Sequence, residues 1–174
     1  MPTAAITKFE KLYVRPKQGP TMIVGSYVTD AKIDRRTLYK DVVGVDMRPG
    51  PGVDRVVNLE HADNIGMFDH VECMSVLEHC ERPWKMSRNI ERMMNPGATI
   101  YVTVPFNWRH HQYPDDYFRI SAAGLRSLFS GIEWTMLLYA TYQGLTEKPK
   151  LPWTMLDGHR FYARSMTCGF GVRK

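Results

Sequence analysis

Two groups of residues that could do chemistry follow two short apolar runs, at residues 68–76 and 98–104, which the sequence predicts to be strands. Glu78 and His79 come directly after the first run. A long loop after the second run carries His110, His111, Tyr113, Asp115, Asp116, Tyr117 and Arg119. Loops at the carboxyl ends of parallel strands are where substrates bind, and an imidazole that titrates near neutral pH suits a general base. Both groups are therefore candidates for catalysis.

We assign catalytic roles to His79, His111 and Asp116. The residues assigned to substrate binding are Glu78, His110, Tyr113, Tyr117 and Arg119. A structural interpretation stays open, in which His79 organises the entry to a helix and an Asp116–Arg119 pair holds the loop. The histidines and aspartates also suggest a metal, but no ligand-spacing rule supports one, so the sequence predicts no metal site.

The elements that must position these residues begin with residues 21–46. One apolar run stops at Gly25 and a second stops at Asp46, which is typical of parallel strands covered on both faces. A carboxylate at a strand tip can accept both hydroxyl hydrogens of a ribose, so we expect a nucleoside-bearing cofactor over Gly25, tethered by Asp46. A dinucleotide would need further glycines where Tyr27 and Thr29 stand, which disfavours NAD, whereas S-adenosylmethionine has no phosphate to bind.

The remaining elements follow from apolar runs and breakers. Residues 1–19 predict a leader with about one helical turn, and residues 53–59 predict a third strand. Pro83 predicts a helix start, and Ser121 predicts the cap of a short helix. Residues 134–142 and 160–167 predict two closing strands, separated by a flap or loop at 143–159.

Length and composition predict one soluble domain spanning residues 1–174, with 44% hydrophobic residues and no membrane-spanning run or signal peptide. We therefore expect a cytoplasmic protein, as monomer or homodimer, and the three cysteines suit a reducing compartment. The net charge of +5 allows an acidic partner, but the basic residues are dispersed. A solvated surface is thus favoured over a nucleic-acid patch.

Five sequence pieces in order carry a family resemblance. They are VGS at Gly25, VGVDMRPGPGVD, FDHVECMSVLEH, MMNPGATIYVTVP and HQYPDDYFRISAAGL, and they cover about residues 20–130. With these pieces the chain resembles class I S-adenosylmethionine-dependent methyltransferases, in the small type 11 subgroup with V-L-E-H after strand four.

The resemblance implies a Rossmann-like α/β fold, whose seven-stranded sheet is parallel except for one strand and has helices on both faces. It also implies the residues that bind S-adenosylmethionine. Gly25, Ser26, Met74 and Ser75 would meet the methionine end, Asp46 the ribose, and Met47, Arg48, Asn58 and Leu59 the adenine. The acceptor would be an oxygen or nitrogen of a small molecule or sugar-like compound.

Three alternatives remain from the sequence. The glycine turn of the family is reduced here to Val24-Gly25-Ser26, which leaves room for a catalytically silent module that binds the cofactor or a partner. An RNA-directed methyltransferase is less favoured. MSVLEH stands where amino-directed nucleic-acid enzymes carry an Asp-Pro-Pro-Tyr motif, and no cysteine follows a proline, which disfavours base methylation but not ribose or phosphate-linked targets. An NAD-dependent oxidoreductase is the third.

Overall fold

The structure is a computed structural model that describes residues 3–30, 34–61, 64–112, 115–148, 153–156, 159–162 and 164–174. The α-helices are α1 (Thr3–Tyr13), α2 (Pro83–Arg92) and α3 (Ala122–Leu128), and two 3-10 helices span Arg35–Leu38 and Leu77–His79. The strands are β1 (Thr21–Val24), β2 (Val42–Asp46), β3 (Arg55–Val56), β4 (Phe68–Met74), β5 (Met94–Asn107), β6 (Ile132–Thr141), β7 (Gly144–Thr146), β8 (Trp153–Leu156), β9 (His159–Tyr162) and β10 (Ser165–Arg173). Across the described residues, every helix is too short or too polar to cross a membrane.

Eight strands of the described residues form one sheet in the order β3-β2-β1-β4-β5-β10-β6-β7, and β8 and β9 form a separate antiparallel pair. The pairings from β3 through β5 are parallel. β10 lies antiparallel between β5 and β6, and β7 is antiparallel to β6. The predicted Rossmann-like α/β fold is confirmed, with eight strands in place of seven.

The core is divided between the two faces of the sheet, because successive side chains of a strand point in opposite directions. Val71 and Cys73 of β4 belong to the apolar cluster that includes Ile90 of α2. On the other face Tyr101 of β5 meets α1, where the buried Phe9 ring stacks on it with centroids 6.0 Å apart. All three cysteines are buried and free.

The prediction of a single helical turn in the leader is wrong, because α1 runs for 11 residues. Ala5 and Phe9 are both buried and lie four residues apart. That spacing places them on one side of a helix, which packs against the sheet. The leader is therefore part of the core.

The bounds predicted for two strands are also wrong. The third strand contains only Arg55–Val56, and the last predicted strand is divided between β9 and the longer β10. β10 continues through Gly169, where a Cβ atom would lie 2.6 Å from Cζ3 of Trp134. Glycine usually weakens a strand, but here it allows a bulky ring from β6 to lie against the backbone.

A buried ion-pair network ties α1, the segment before β2 and β4 together. Glu72 of β4 is fully buried, and the Arg35 guanidinium pairs with both Glu72 and Glu10. The Tyr39 hydroxyl donates a hydrogen bond of 2.6 Å to Glu72 Oε1. Burial alone would raise the pKa of the Glu72 carboxyl, but the hydrogen bonds and charge of Arg35, the hydrogen bond from Tyr39 and the nearby His70 ring lower it to about 2. Glu72 is therefore ionised in the folded protein.

We predict that Arg35→Met lowers the free energy of unfolding at pH 7 by about 3 to 5 kcal/mol, because it leaves the Glu72 carboxylate buried without its cation. The folded-state pKa of Glu72, about 2, lies below its ordinary value of 4.5, so the Glu72 contribution is complete above about pH 4.5 and is lost as pH falls toward 2. The difference between variant and wild type should shrink over that range in urea denaturation.

Arg36→Met is the matched control, since Arg36 pairs with Asp34 and Asp54 nearer the surface. It should cost less than about 1 kcal/mol. Equal losses for the two variants, or a loss for Arg35→Met that does not change between pH 5 and pH 2, would contradict a role for Glu72 as a buried anion.

Candidate functional site

A cavity of about 340 Å³ lies at the carboxyl ends of β1, β2 and β4. It is lined by seven of the nine residues predicted to bind the cofactor, namely Gly25, Asp46, Met47, Arg48, Asn58, Leu59 and Ser75. The other two, Ser26 and Met74, line a second cavity of about 560 Å³ that shares Val24, Gly25, Tyr27 and Ser75 with the first. The two cavities are therefore adjacent, with Gly25 and Ser75 between them. We call them the first and second cavities.

The turn after β1 depends on Gly25, which has a φ of +71°. Its N–H donates to the carbonyl of Val45 over 2.8 Å, and the next N–H, from Ser26, donates to the same oxygen. A Cβ atom on Gly25 would lie 2.4 Å from Cγ2 of Val76, which also lines the first cavity. A single glycine thus meets both the backbone and the packing requirements of this turn.

Asp46 is held at the end of β2 by two backbone donors. The Tyr27 N–H donates to Oδ2 over 3.2 Å, and the Arg48 N–H donates to Oδ1 over 3.0 Å. Each carboxylate oxygen keeps acceptor capacity for a further hydrogen bond, and the side chain lines the first cavity. The arrangement can therefore receive a diol.

Sequence reasoning missed several residues of the first cavity wall: Tyr27, Thr29, Val57, Glu60, Val76, Cys80 and Met86. Tyr27 had a signal, because it follows Gly25 by two residues, but its position was interpreted only as a missing glycine. Its ring lies under the Arg48 guanidinium, 4.9 Å from the ring centroid. This contact links the loops after β1 and β2.

Ser75 follows β4 with a φ of 55°, the only positive φ among the non-glycine residues that the structure describes. Its N–H donates to the carbonyl of Thr103 over 2.8 Å. A non-glycine residue in this conformation costs about 1 to 3 kcal/mol and is common at binding sites. The strained residue faces both cavities.

The structure brings together the two groups of ionisable residues that the sequence places about thirty residues apart. The backbone N–H of Tyr117 donates to the carbonyl of Glu78 over 2.7 Å, which holds the loop after β5 against the 3-10 helix after β4. The carbonyl of Asp115 accepts from Nδ1 of His79 over 2.6 Å. The His79 and His111 rings pack edge to face with centroids 4.9 Å apart.

Asp116 organises the loop side of this cluster. Its carboxylate pairs with Arg119 and lies 3.1 Å from Nδ1 of His111, and it accepts the His111 backbone N–H over 2.8 Å. The hydrogen bond from Arg119 is the main reason that the pKa of Asp116 lies well below its ordinary value. Asp116 is therefore an anion that orients His111.

Glu78 has a different environment. Its side chain is fully buried, and neither carboxylate oxygen has a hydrogen-bond partner among the described residues. Burial, with a smaller effect of the Asp116 charge, raises the pKa of the Glu78 carboxyl to about 8. Its Oε1 lies 3.8 Å from Nε2 of His79, which lines the first cavity.

The other residues predicted to bind substrate lie around this cluster. His110 is exposed, and Tyr117 is exposed with its hydroxyl 3.3 Å from carboxylate oxygens of Glu81 and Asp115. Arg119 is engaged with Asp116. Tyr113 lies outside the described residues.

Comparison with known proteins gives a family match over part of the chain. A model of the methyltransferase domain family matches residues 25–102, which begin directly after β1 and contain β2 to β4, α2 and every residue that lines the first cavity except Val24. A search of curated proteins finds no match.

Solved structures resemble nearly the whole chain. A protein from Bacillus halodurans C-125 that was assigned as a methyltransferase has 12% identity and a TM-score of 0.67, with 98% of this chain and 99% of that chain covered. A Haloferax volcanii protein, also assigned as a methyltransferase and solved with a methyltransferase activator, has 16% identity, a TM-score of 0.63 and coverage of 96% and 87%. The N-methyltransferase NodS from Bradyrhizobium japonicum WM9, solved with S-adenosylhomocysteine, has 9% identity, a TM-score of 0.57 and coverage of 99% and 85%.

At these identities the structural likeness shows the fold, which is that of class I methyltransferases. Together with this fold, the family match at residues 25–102 supports the prediction of a class I S-adenosylmethionine-dependent methyltransferase, with S-adenosylmethionine as its methyl donor.

We predict that Gly25→Ala weakens S-adenosylhomocysteine binding at least about tenfold, because the new methyl group displaces Val76 in the cavity wall. Gly97→Ala is the matched control, since Gly97 has a φ of +73° and no described atom lies within 4 Å of its Cβ position. Each substitution carries a backbone cost of about 1 to 2 kcal/mol. Calorimetric titration should show unchanged affinity for Gly97→Ala; equal affinities for the two variants would show that the Val76 contact has no influence on the cavity.

Proposed function

We propose that the protein transfers a methyl group from S-adenosylmethionine to an oxygen or nitrogen of a small-molecule or sugar-like acceptor. The observation that carries this proposal is the lining of the first cavity, which includes Asp46 on β2 and His79 after β4. A ribose anchor and an ionisable group beside the reaction centre therefore belong to one cavity.

In this proposal the adenosine lies over the tips of β1 and β2. The Asp46 carboxylate accepts the ribose hydroxyls, and Asn58, Leu59, Met47 and Arg48 surround the adenine. The methionine end extends past Gly25 and Ser75 toward the second cavity, which Ser26 and Met74 line. The shared wall of the two cavities supports this direction.

The acceptor enters beside the histidine cluster, between the 3-10 helix that ends at His79 and the loop that carries His111. The sulfonium methyl is already electrophilic, so the protein has to align the acceptor atom about 3 to 3.5 Å from it and exclude water. His79 is the candidate base, because its Nδ1 engages the Asp115 carbonyl and its Nε2 faces the cluster. Asp116 positions His111.

Glu78, His110, Tyr113, Tyr117 and Arg119 remain the proposed substrate-binding set. A nucleic-acid acceptor stays a less favoured alternative, and the cytoplasmic location and the state of monomer or homodimer stay predictions from sequence.

We predict that S-adenosylhomocysteine raises the melting temperature of the wild type and that Asp46→Ala abolishes the rise. Hydrogen bonds to a charged group contribute about 1.5 to 3 kcal/mol each, so the loss of two should weaken binding more than about 100-fold. Asp41→Ala, at an exposed position before the same strand, is the control and should keep the full rise. A full rise with Asp46→Ala, or an equal rise with NAD, would contradict the assigned cofactor geometry.

A methyl-transfer assay distinguishes the enzyme from a silent binding module. With labelled S-adenosylmethionine and a panel of hydroxyl, amine and sugar acceptors, we expect transfer that His79→Gln reduces at least about 100-fold, the range of general-base catalysis. Binding of the cofactor without transfer to any acceptor would instead support the silent module.

A further inference from the structure

Glu78, His79 and His111 form a cluster of metal-ligand type. One ligand atom from each of the three side chains lies within 4.8 Å of the other two. Glu78 is fully buried, and the two histidine side chains are 15% and 32% exposed. Ligands that share an ion at about 2.0 to 2.2 Å lie at most about 4.4 Å apart, and the 3.8 Å between Glu78 Oε1 and His79 Nε2 is already within that range.

The Glu78 carboxylate is a second, independent observation. Neither of its oxygens has a hydrogen-bond partner among the described residues, although its side chain is fully buried. Buried polar groups in folded proteins are nearly always paired, and an isolated buried carboxylate is costly. Both facing groups within the cluster are imidazoles, which neutralise a carboxylate only when protonated. A bound cation would satisfy Glu78 and leave both imidazoles neutral.

The outer contacts of the two histidines leave the same nitrogen available on each ring. Nδ1 of His79 lies 2.6 Å from the Asp115 carbonyl oxygen. Nδ1 of His111 lies 3.4 Å from the Arg109 carbonyl oxygen, its hydrogen-bond partner, and 3.1 Å from the Asp116 carboxylate. In the tautomers that donate from Nδ1, Nε2 carries the lone pair. Metal-binding histidines almost always donate their other N–H to a carbonyl or carboxylate in this way.

We propose that Glu78, His79 and His111 bind a divalent transition-metal ion beside the first cavity. Two imidazoles and one carboxylate suit Zn²⁺, Co²⁺ or Fe²⁺ better than Mg²⁺, which prefers oxygen ligands. Three protein ligands leave at least one coordination position open. The sequence predicts no metal here, because the ligands come from two separate loops. Only the fold brings these two loops together.

The role that we assign to the ion rests on the proposed function. It limits the methyl acceptor of that reaction to an oxygen nucleophile. The acceptor hydroxyl coordinates the ion at its open position, which lowers the pKa of that hydroxyl, and its proton passes to a water molecule. The resulting alkoxide forms the new C–O bond while the methyl–sulfur bond breaks, and the bonding electron pair remains on sulfur as S-adenosylhomocysteine. When the ion is bound, His79 is a metal ligand, and the water molecule takes the place of His79 as the base.

Titration of Co²⁺ into chelator-treated, desalted full-length protein tests the site without cofactor or acceptor. We expect one Co²⁺ per chain with visible d–d absorption bands. Glu78→Gln and His111→Gln should abolish these bands, and Asp116→Asn should weaken binding about 10- to 100-fold by freeing the His111 ring. His110→Gln, at the exposed neighbouring histidine, is the matched control and should bind as the wild type does.

The stability of Glu78→Gln separates a metal ligand from a purely structural residue. Without metal, this variant should melt at about the wild-type temperature, because a neutral amide replaces a side chain of similar shape that has no hydrogen-bond partner among the described residues. It should also lose the rise in melting temperature that Co²⁺ gives the wild type.

Absence of saturable Co²⁺ binding to the wild type, or wild-type binding by Glu78→Gln, would overturn the proposal. Either result is independent of the proposed function, which depends on cofactor binding at Asp46. Conversely, a failed S-adenosylhomocysteine titration with intact Co²⁺ binding would overturn the proposed function and leave the metal site in place.

Discussion

The parallel register of β1 between β2 and β4 is the constraint on which the first cavity depends. Val24 lies opposite Val45 on one side and Cys73 on the other, so the three strands end together. The turn at Gly25, the carboxylate of Asp46 and the strained Ser75 are therefore brought to one edge of the sheet. A shift of one residue in this register would turn Asp46 away from the Tyr27 N–H that holds it.

Polar residues hold the connections that follow β1 and β4. Between β1 and β2 the described residues contain only a 3-10 helix, and the sheet face beneath it is held by the Arg35–Glu72 pair and α1. After β4 another 3-10 helix contains Glu78 and His79, and His79 lines the first cavity.

Sequence patterns predicted the features that depend on local chemistry. The structure has the predicted strand ends at Gly25 and Asp46, the start of α2 at Pro83 and the Ser121 cap of α3. Each of these features follows from the backbone preference of a single residue. Features set by distant packing were missed. The strand through Gly169 depends on the Trp134 ring, and α1 depends on the ring of Tyr101.

The same distinction holds at the site. The candidate residues His79 and His111 could be found from their positions after predicted strands. Their edge-to-face contact, and a Glu78 carboxylate that has no hydrogen-bond partner among the described residues, arise only when the loop after β5 donates to the Glu78 carbonyl. No local pattern encodes that contact. Tyr27 was missed for a related reason, because its importance comes from Asp46 and Arg48 on the neighbouring loop.

A crystal structure of the complex with S-adenosylhomocysteine tests the central claim most directly. Our account predicts ribose hydroxyls within hydrogen-bond distance of both Asp46 oxygens and the sulfur atom between Ser75 and His79. A ribose bound away from Asp46, or an adenosine in the second cavity beside Arg35, would contradict it.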